Sequence, residues 1–530
     1  MKIVTSSQMK KIENSAINNG IKQTDLIHKA GLILAEIIKE NIKNVKNSNI
    51  IFLIGSGKNG EDGLEASKHL LSWGAKCKII FSSENKFNIT KKNSKIQYFN
   101  PKKTENTEIL KQFISTADII VDALIGTGTN RPISGFMKSI LDQIKKLNST
   151  TDKTPIIFSA DFPSGLNPNT GSVDQSSIDS DFTVSFGLPK IGTLFSQGLK
   201  ASGEIYLTDI GIPKNLSKNQ YIPTEFITKD WVRNNLPKRS NFGHKGNFGK
   251  VLILAGSKKY LGAASLAANA AYRSGAGLVT ICAPKSIINS ISINSIESTL
   301  IPLSESSSGV HSKQAAEEIL NIMPTYDSFL IGCGLGQENE TQAMLNEILF
   351  HGEKLPPTII DADGLNFLST LKSKWWQNFK SPTIVTPHIG EMSRLSKYPI
   401  QKINSQKFEI TKKLSDKWGI LILLKGAFSV ISSPEKNQIA ISPHVNSGLA
   451  KAGTGDVLSG ILAGLMAQKI PIFQSAKLAT YLHGKTGMIT SKKLTQQTMI
   501  ATDLLHYFHE TFKEIHEPIP PKHFIKLNDL

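Results

Sequence analysis

The feature that most constrains the fold is a double series of strand-sized apolar runs separated by helical patterns. In the first series NIIFLIG, KCKIIF, DIIVDALIG, PIIFSAD and DFTVSFG have the length and β-branched content of buried strands. Between them, residues 63–73 and 135–147 space their apolar side chains as helices do. Such alternation predicts an α/β architecture with mostly parallel sheets. After Gly211 the pattern breaks into two Ile-Pro pairs, Leu236-Pro237 and the polar, glycine-containing NFGHKGNFG, a composition expected of a linker. A second series then begins with KVLILAG, LVTICAP, SFLIGCG, TIIDAD, TIVTPH and LILLKG. Two α/β domains are therefore expected, over residues 1–215 and 246–515, joined through 216–245. A chain of 530 residues holds enough material for two large cores.

Charge and cysteine content narrow the class. The chain carries 61 basic and 43 acidic residues, a net +18, which raises nucleic acid or a membrane surface as a partner. The excess is lysine scattered among asparagine and isoleucine, without arginine-rich blocks or interleaved aromatic residues, so no nucleic-acid partner is expected. No run approaches the ~20 apolar residues of a membrane span, and the first residues lack the apolar core of a signal peptide, so no membrane association is expected either. Cys77, Cys282 and Cys333 are far apart and form no C-x-x-C pair, which fits a reducing, cytoplasmic setting.

In open α/β sheets ligands bind beyond the carboxyl ends of the strands. Three such ends in the first series carry chemistry. NIIFLI runs into Gly55, Gly57, Lys58, Asn59, Gly60, Glu61 and Asp62, then a helix. Gly55, Gly57 and Gly60 match G-x-G-x-x-G, which reads either as a dinucleotide site or as a glycine-rich turn without ligand. DIIV is followed by Asp122 and then Gly126 to Thr129, and PIIFSA by Asp161 and Ser164. Carboxylates beside the side-chain oxygens of Asn59 and Ser164 could make an all-oxygen cation site, whereas each Asp taken singly reads as a cap or turn residue.

The three loops GSGKNGEDG, VDALIGTGTNRP and DFPSGLNPNTG, in that order over about residues 5–212, resemble the NAD(P)H-hydrate epimerase family. The resemblance implies a Rossmann-like three-layer αβα domain that interconverts the R and S epimers of hydrated NADH and NADPH (NADHX and NADPHX). It implies that Asn59, Asp122 and Ser164 hold potassium. It also implies that Lys58, Asn59, Gly60, Glu61, Asp62, Gly126, Thr127, Gly128, Thr129, Asn130, Arg131, Pro132 and Asp161 face the substrate, with Asp161 catalytic. Lys58 stands where the family usually has Asn, Glu61 where it has Gly, and His28 where it has Glu.

In the second series the strongest signal is NSGLAKAGTGD at 446–456, continuing into VLSGILAGLMAQ. Gly453 to Gly455 at a helix start offer free amides and a positive dipole end to an anion. Asp456 in the first turn reads as ordinary helix electrostatics or as a general base beside that anion site. Other strand ends place Lys425 to Ser429, Gly332 to Gly336, Asp361 and Asp363, and His388 with Glu391 at the same edge. His388 reads equally as a structural hydrogen bond or a ligand contact. Asp363 and Glu391 read as magnesium ligands through water or as helix caps.

Seven ordered motifs between about 240 and 500, HKGNFGKVLILAGS, YLGAASLAANAAYRSGAGLV, IGCGLG, DADGLN, TPHIGE, LKGAF and LAKAGTGDVLSGILAGLMAQ, resemble the NAD(P)H-hydrate dehydratase family. This implies a ribokinase-like α/β domain that uses ADP, with magnesium, to phosphorylate the hydrate hydroxyl before phosphate leaves. The resemblance gives Lys425, Gly426, Ala427, Phe428, Ser429 and Gly455 to the adenine nucleotide, Ala263, Gly336, His388 and Asp456 to the hydrate, and the role of base to Asp456. The pair of halves thus points to an isomerase fused to a lyase, and a homo-oligomer is expected. A ribokinase-type small-molecule kinase carrying a non-catalytic nucleotide-binding module is the other reading. The apolar helix face at 262–271 could pack within the chain or between chains.

Overall fold

Runs such as Ile50 to Ile54 and Val251 to Leu254 are apolar at every position, and buried parallel strands covered by helices on both faces require this. The computed structural model describes residues 1–82, 96–99, 107–126, 132–150, 154–213, 215–216, 220–372, 374–435, 437–518 and 523–530. The chain divides into two units, residues 1–222 with 520–530, and residues 223–519.

In the first unit the strands are β1 (Asn49–Ile54), β2 (Lys76–Phe81), β3 (Ile96–Phe99), β4 (Ile119–Ala123), β5 (Ile156–Ala160), β6 (Phe182–Phe186) and β7 (Glu204–Thr208). They lie in the order β3-β2-β1-β4-β5-β6-β7, all parallel. This is a doubly wound arrangement, with apolar clusters on both faces of the sheet. The strand Phe524–Lys526 closes the β7 edge as an antiparallel partner. The sequence reading had no element there, because three residues are too short a run to show a period.

In the second unit the strands are β8 (Thr224–Phe226), β9 (Lys250–Leu254), β10 (Leu278–Pro284), β11 (Thr299–Leu303), β12 (Ser328–Ile331), β13 (Thr358–Ile360), β14 (Thr383–Val385), β15 (Leu421–Leu424), β16 (Val430–Ser433) and β17 (Gln438–Ile441). Their order is β11-β10-β9-β12-β13-β14-β15-β16-β17-β8, parallel except at the β15-β16 and β16-β17 pairs. The stretch expected as linker, 216–245, contributes β8 and the helix Lys229–Asn235 to this unit. Phe226, Ile227 and Val232 are buried there, too few apolar positions to outweigh the surrounding prolines in a sequence reading. The apolar face at 262–271 is used within the chain: Ala264, Ala267, Ala268, Ala270 and Ala271 are fully buried in the core shared with helix Thr454–Ala467. Among the described residues, no helix is long and apolar enough to cross a membrane.

Candidate active sites

Strand order in the first sheet reverses between β1 and β4, the place at whose carboxyl end open α/β sheets bind ligands. A Cβ on Gly55 would lie 1.8 Å from the Leu124 carbonyl oxygen, and one on Gly60 2.0 Å from that of Gly55. Chain packing alone thus requires two of the three patterned glycines. Gly57, the N-cap of helix Lys58–Ser72, has open space instead.

One chain of hydrogen bonds joins Asn59, Ser164 and Asp122. Asn59 Nδ2 donates to the Ile125 carbonyl at 3.1 Å, and the Ile125 N–H donates to Ser164 Oγ at 3.0 Å. Ser164 donates from Oγ and N–H to the Asp122 carboxylate at 2.6 and 2.7 Å. Asp122 is 0% exposed. Burial pushes its carboxyl up while the Ser164 bonds hold it down, and no cationic side chain of the described residues pairs with it. Asn59 Oδ1 is buried and has no hydrogen-bond partner. An orphaned amide oxygen linked to an uncompensated buried carboxylate and a hydroxyl is a donor set that fits a hard, oxygen-ligated cation.

Asp161 follows β5 with φ of 65°, a left-handed conformation that is strained for a residue with a Cβ. It is held there because its Oδ1 accepts the Phe186 N–H at 3.1 Å and pairs with the buried Lys190 ammonium. Lys190 also donates to the Phe186 carbonyl at 2.8 Å. Burial raises the Asp161 carboxyl, and the charge of Lys190 opposes the rise. Asp62, just past the first turn of helix Lys58–Ser72, is raised well above the carboxylate range by burial and then by Asp161, Glu13 and Glu61. Lys58 reaches Glu13 at 3.2 Å. A Cβ on Gly126 would stand 3.1 Å from the Cβ of Asn59, which places that loop on the first one. Pro132 is exposed, whereas Thr127, Gly128, Thr129, Asn130 and Arg131 lie outside the described residues. The sequence reading did not single out Glu13 or Lys190. Lys190 stands four residues past β6, so inspection of that strand end would have found it, while nothing local marks Glu13.

The second sheet reverses between β9 and β12, and here too the expected residues gather at the carboxyl edge. A Cβ on Gly334 would lie 2.9 Å from that of Ala263, so the loop after β12 rests on the start of helix Leu261–Arg273. Asp363 accepts the Gly336 N–H at 2.9 Å, together with Gln337 and Asn366, and Glu391 accepts the His388 N–H at 2.8 Å. Glu391 therefore takes the cap role, in a capping box with His388, whereas Asp363 ties the loop after β12 to the start of helix Asp363–Thr370. His388 Nδ1 accepts the Gly390 N–H at 3.0 Å and caps helix Ile389–Ser396, while Nε2, on the half-exposed ring, lies 3.5 Å from Glu391 Oε1. Burial, Lys425 and Arg394 lower its pKa, which keeps the ring neutral at pH 7.

Asp456 lies in the first turn of helix Thr454–Ala467, whose N-cap, Gly453, has φ of 87°. Burial first, and the charge of Asp361 second, push its carboxyl up to about 7 against a bond from the Cys333 thiol and the charge of Lys425. Asp361 is the buried centre of the group. It accepts from Lys425 Nζ and Ser459 Oγ, each at 2.7 Å, and from the Ala362 N–H at 2.8 Å. Lys425 Nζ is 3.4 Å from where a Cβ on Gly455 would be, at the helix start, and 4.0 Å from Glu391. Burial alone would lower the Lys425 pKa, but Asp361 and Glu391 raise it.

The loop Lys425 to Ser429 is closed by Ser429 Oγ, which donates to the Gly426 carbonyl at 3.0 Å and accepts its N–H at 3.3 Å. Gly426 and Ala427 are exposed. Phe428 departs from expectation: its ring is 2% exposed and packs 6.1 Å from the Phe226 ring, so only its backbone can meet a nucleotide. Beneath the loop, the buried Lys407 Nζ donates to the Ala427 and Phe428 carbonyls at 2.6 and 2.9 Å, and burial pushes its pKa down to about 7. Neither Lys407 nor Cys333 stood out in sequence, because a lysine in a lysine-rich helix and a lone thiol carry no pattern.

Residues 251–510 match the NAD(P)H-hydrate dehydratase family and residues 23–192 match the YjeF-related protein N-terminus. The chain is 32% identical to the bifunctional NAD(P)H-hydrate repair enzyme Nnr of Moorella thermoacetica, over 98% of each chain. It is 30% identical to that of Thermofilum pendens, over 98% of this chain and 97% of the relative. Among solved structures, an ADP/ATP-dependent NAD(P)H-hydrate dehydratase from Bacillus subtilis co-crystallised with ATP/Mg2+ is 28% identical, with a TM-score of 0.48, and covers 55% of this chain and 98% of that one. The two family matches fall one on each unit, the first on the doubly wound αβα sheet and the second on the larger α/β sheet. With the two halves matched in order and such a relative aligned along nearly the whole length, the protein belongs to the bifunctional NAD(P)H-hydrate repair enzyme family.

Proposed function

We propose that the first unit epimerises the R and S forms of NADHX and NADPHX, and that the second dehydrates the S form to NADH or NADPH at the expense of ADP. The observation that carries this reading is the presence of two separately built sites in a chain aligned with a repair enzyme over 98% of its length. One site would supply the epimer that the other consumes.

At the second site the hydrate hydroxyl oxygen bonds the terminal phosphorus of ADP, Asp456 takes its proton, and AMP leaves with the bridging oxygen. A carboxyl pushed up to about 7 is matched to that transfer near neutral pH. The amides at Gly453 to Gly455 and the Lys425 ammonium stabilise charge developing on the phosphoryl oxygens. The ring nitrogen's lone pair then expels phosphate, and loss of a proton from the neighbouring ring carbon restores the dihydronicotinamide. In this reading the backbone of Lys425 to Ser429, with Gly455, receives the nucleotide, while Ala263, Gly336 and His388 Nε2 line the hydrate. Asp363 and Glu391 would hold magnesium through water, beside the loop N–H and the helix cap that they already serve.

At the first site the Asp161–Lys190 pair holds a proton at the carboxyl edge of β5. Given to the hydrate hydroxyl, it lets that group leave as water with the push of the ring nitrogen. A water then adds to the opposite face and returns a proton to the pair. Asn59, Asp122 and Ser164 would hold potassium, whose charge would compensate Asp122 and fix the two loops. Lys58, Gly60, Glu61, Asp62, Gly126 and Pro132 belong to the substrate wall in this reading. The apolar side chains of Tyr260, Leu261, Ile293 and Ile296, exposed in the second unit, support a homo-oligomer in this reading, and light scattering measures it.

The test is incubation of the full chain with mixed R and S NADHX, with and without ADP. Conversion of both epimers to NADH faster than spontaneous epimerisation, and only with ADP, is expected. A stable phosphorylated product in place of NADH would mark a kinase, and no consumption with ADP or ATP would defeat the proposal.

A further inference from the structure

Neither reaction uses a group of side chains shared by helices Gln23–Asn41 and Lys58–Ser72. The two helices touch at Gly31, where a Cβ would lie 2.5 Å from the Cβ of Glu65. His28 stands one turn before Gly31, and His69 one turn after Glu65. Residues four apart share a helix face, so Glu65 and His69 both point toward the neighbouring helix that carries His28. His28 Nδ1 is 2.8 Å from Glu65 Oε1, and His69 Nε2 is 3.7 Å from the same oxygen. The three donor atoms all lie within 4.8 Å of one another.

Two observations point to a ligand. His69 Nε2 is buried and has no hydrogen-bond partner, although it faces the cluster. The spacing also suits a metal: bonds of about 2.0–2.1 Å in tetrahedral geometry put neighbouring donors about 3.3–3.4 Å apart, which the two measured separations bracket. Lys68 engages the other oxygen, Glu65 Oε2, and so leaves Oε1 turned to the histidines. Two imidazoles and a carboxylate favour zinc-like cations over magnesium or potassium, which take all-oxygen sets. Among the described residues this is the only such group of three.

We propose that His28, Glu65 and His69 form a zinc-class metal site, with its fourth position open to water beside the exposed His28, which clamps the two helices together. A metal bound there at free concentration c stabilises the folded unit by RT ln(1 + c/Kd), so its Tm rises with c.

The test uses the full chain stripped with a chelator and titrated with zinc against a chromophoric competitor, alongside thermal unfolding. One zinc per chain is expected, with a rise in Tm and, for Co2+, the intense visible bands of a tetrahedral site. His28→Ala, at an exposed position that tolerates truncation, and His69→Ala should each weaken binding by at least about 10- to 100-fold, the loss that even an outer-shell change brings. Lys68→Ala, which frees Oε2 from a competing cation, should tighten it. The proposal is overturned if no zinc binds, or if the bound zinc survives the His28→Ala/His69→Ala double substitution; the three side chains are then an ion-pair network only.

Discussion

Asp456 must lose a proton readily enough to serve as a base, yet it sits where burial and Asp361 keep that proton on. Because the base form is the active one, the ADP-dependent rate is expected to fall about tenfold per pH unit below about 7 and to level off above it. Asp361→Asn removes a neighbouring negative charge and frees the Lys425 ammonium, and both changes lower the Asp456 pKa. The acid limb of the pH–rate profile should then move to lower pH, whereas Asp456→Asn should abolish the ADP-dependent reaction. In the first unit, Asp161→Ala or Lys190→Met should slow use of the R epimer and leave repair of the S form intact, as seen by following each epimer by chromatography. Lys407→Met leaves two loop carbonyls without their donor. At about 1–3 kcal/mol for such a loss, the ADP KM should rise roughly 5- to 150-fold with epimerisation unchanged.

At the scale of the element, helix Thr454–Ala467 shows why small residues recur along it. A Cβ on Gly460 would lie 2.1 Å from the Ala267 carbonyl oxygen, and one on Gly464 2.1 Å from Ser274 Oγ. Gly460→Ala gains about 1 kcal/mol of helix propensity but forces backbone apart in a packed core, which typically costs about 1–3 kcal/mol. The clash wins because the neighbour is backbone and cannot rotate away. Calorimetry should therefore show a lower Tm for the second unit, with the first unit's transition unmoved. The same geometry explains what the sequence could and could not say about the glycine-rich loops. The motif marks a turn at a strand end, but whether a glycine serves a ligand or a neighbouring strand depends on what comes within 2 Å of its missing Cβ. For Gly55 and Gly60 that neighbour is the chain itself.

For the whole molecule, the last residues return to the first sheet, where Leu527 and Leu530 are buried and Phe524–Lys526 covers the β7 edge. Deleting residues 520–530 exposes that edge and should lower the Tm of the first unit and promote its aggregation, while ADP-dependent dehydration of the S form persists. The charge of +18 acquires a limited meaning at this scale. No nucleic-acid motif lies behind it, and both proposed substrates carry several phosphates that a positive field attracts.

The sequence by itself determined the two α/β units, the strand ends that lead to Asn59, Asp122, Asp161 and Lys425, the glycine-rich helix start that carries Asp456, and the family. Period and strand-end position are local properties, and a chain of apolar runs and loop residues displays them without folding. Only the tertiary structure decided the return of the C-terminal strand, the burial of the Phe428 ring, the ion pairs of Lys190 with Asp161 and of Lys425 with Asp361, and the meeting of His28 with Glu65 and His69. Each of these joins residues far apart in the chain, and their partners are set by which strands and helices become neighbours. The charge state of Asp456 belongs to the same class, since it depends on the burial and the second carboxylate that the fold brings to it.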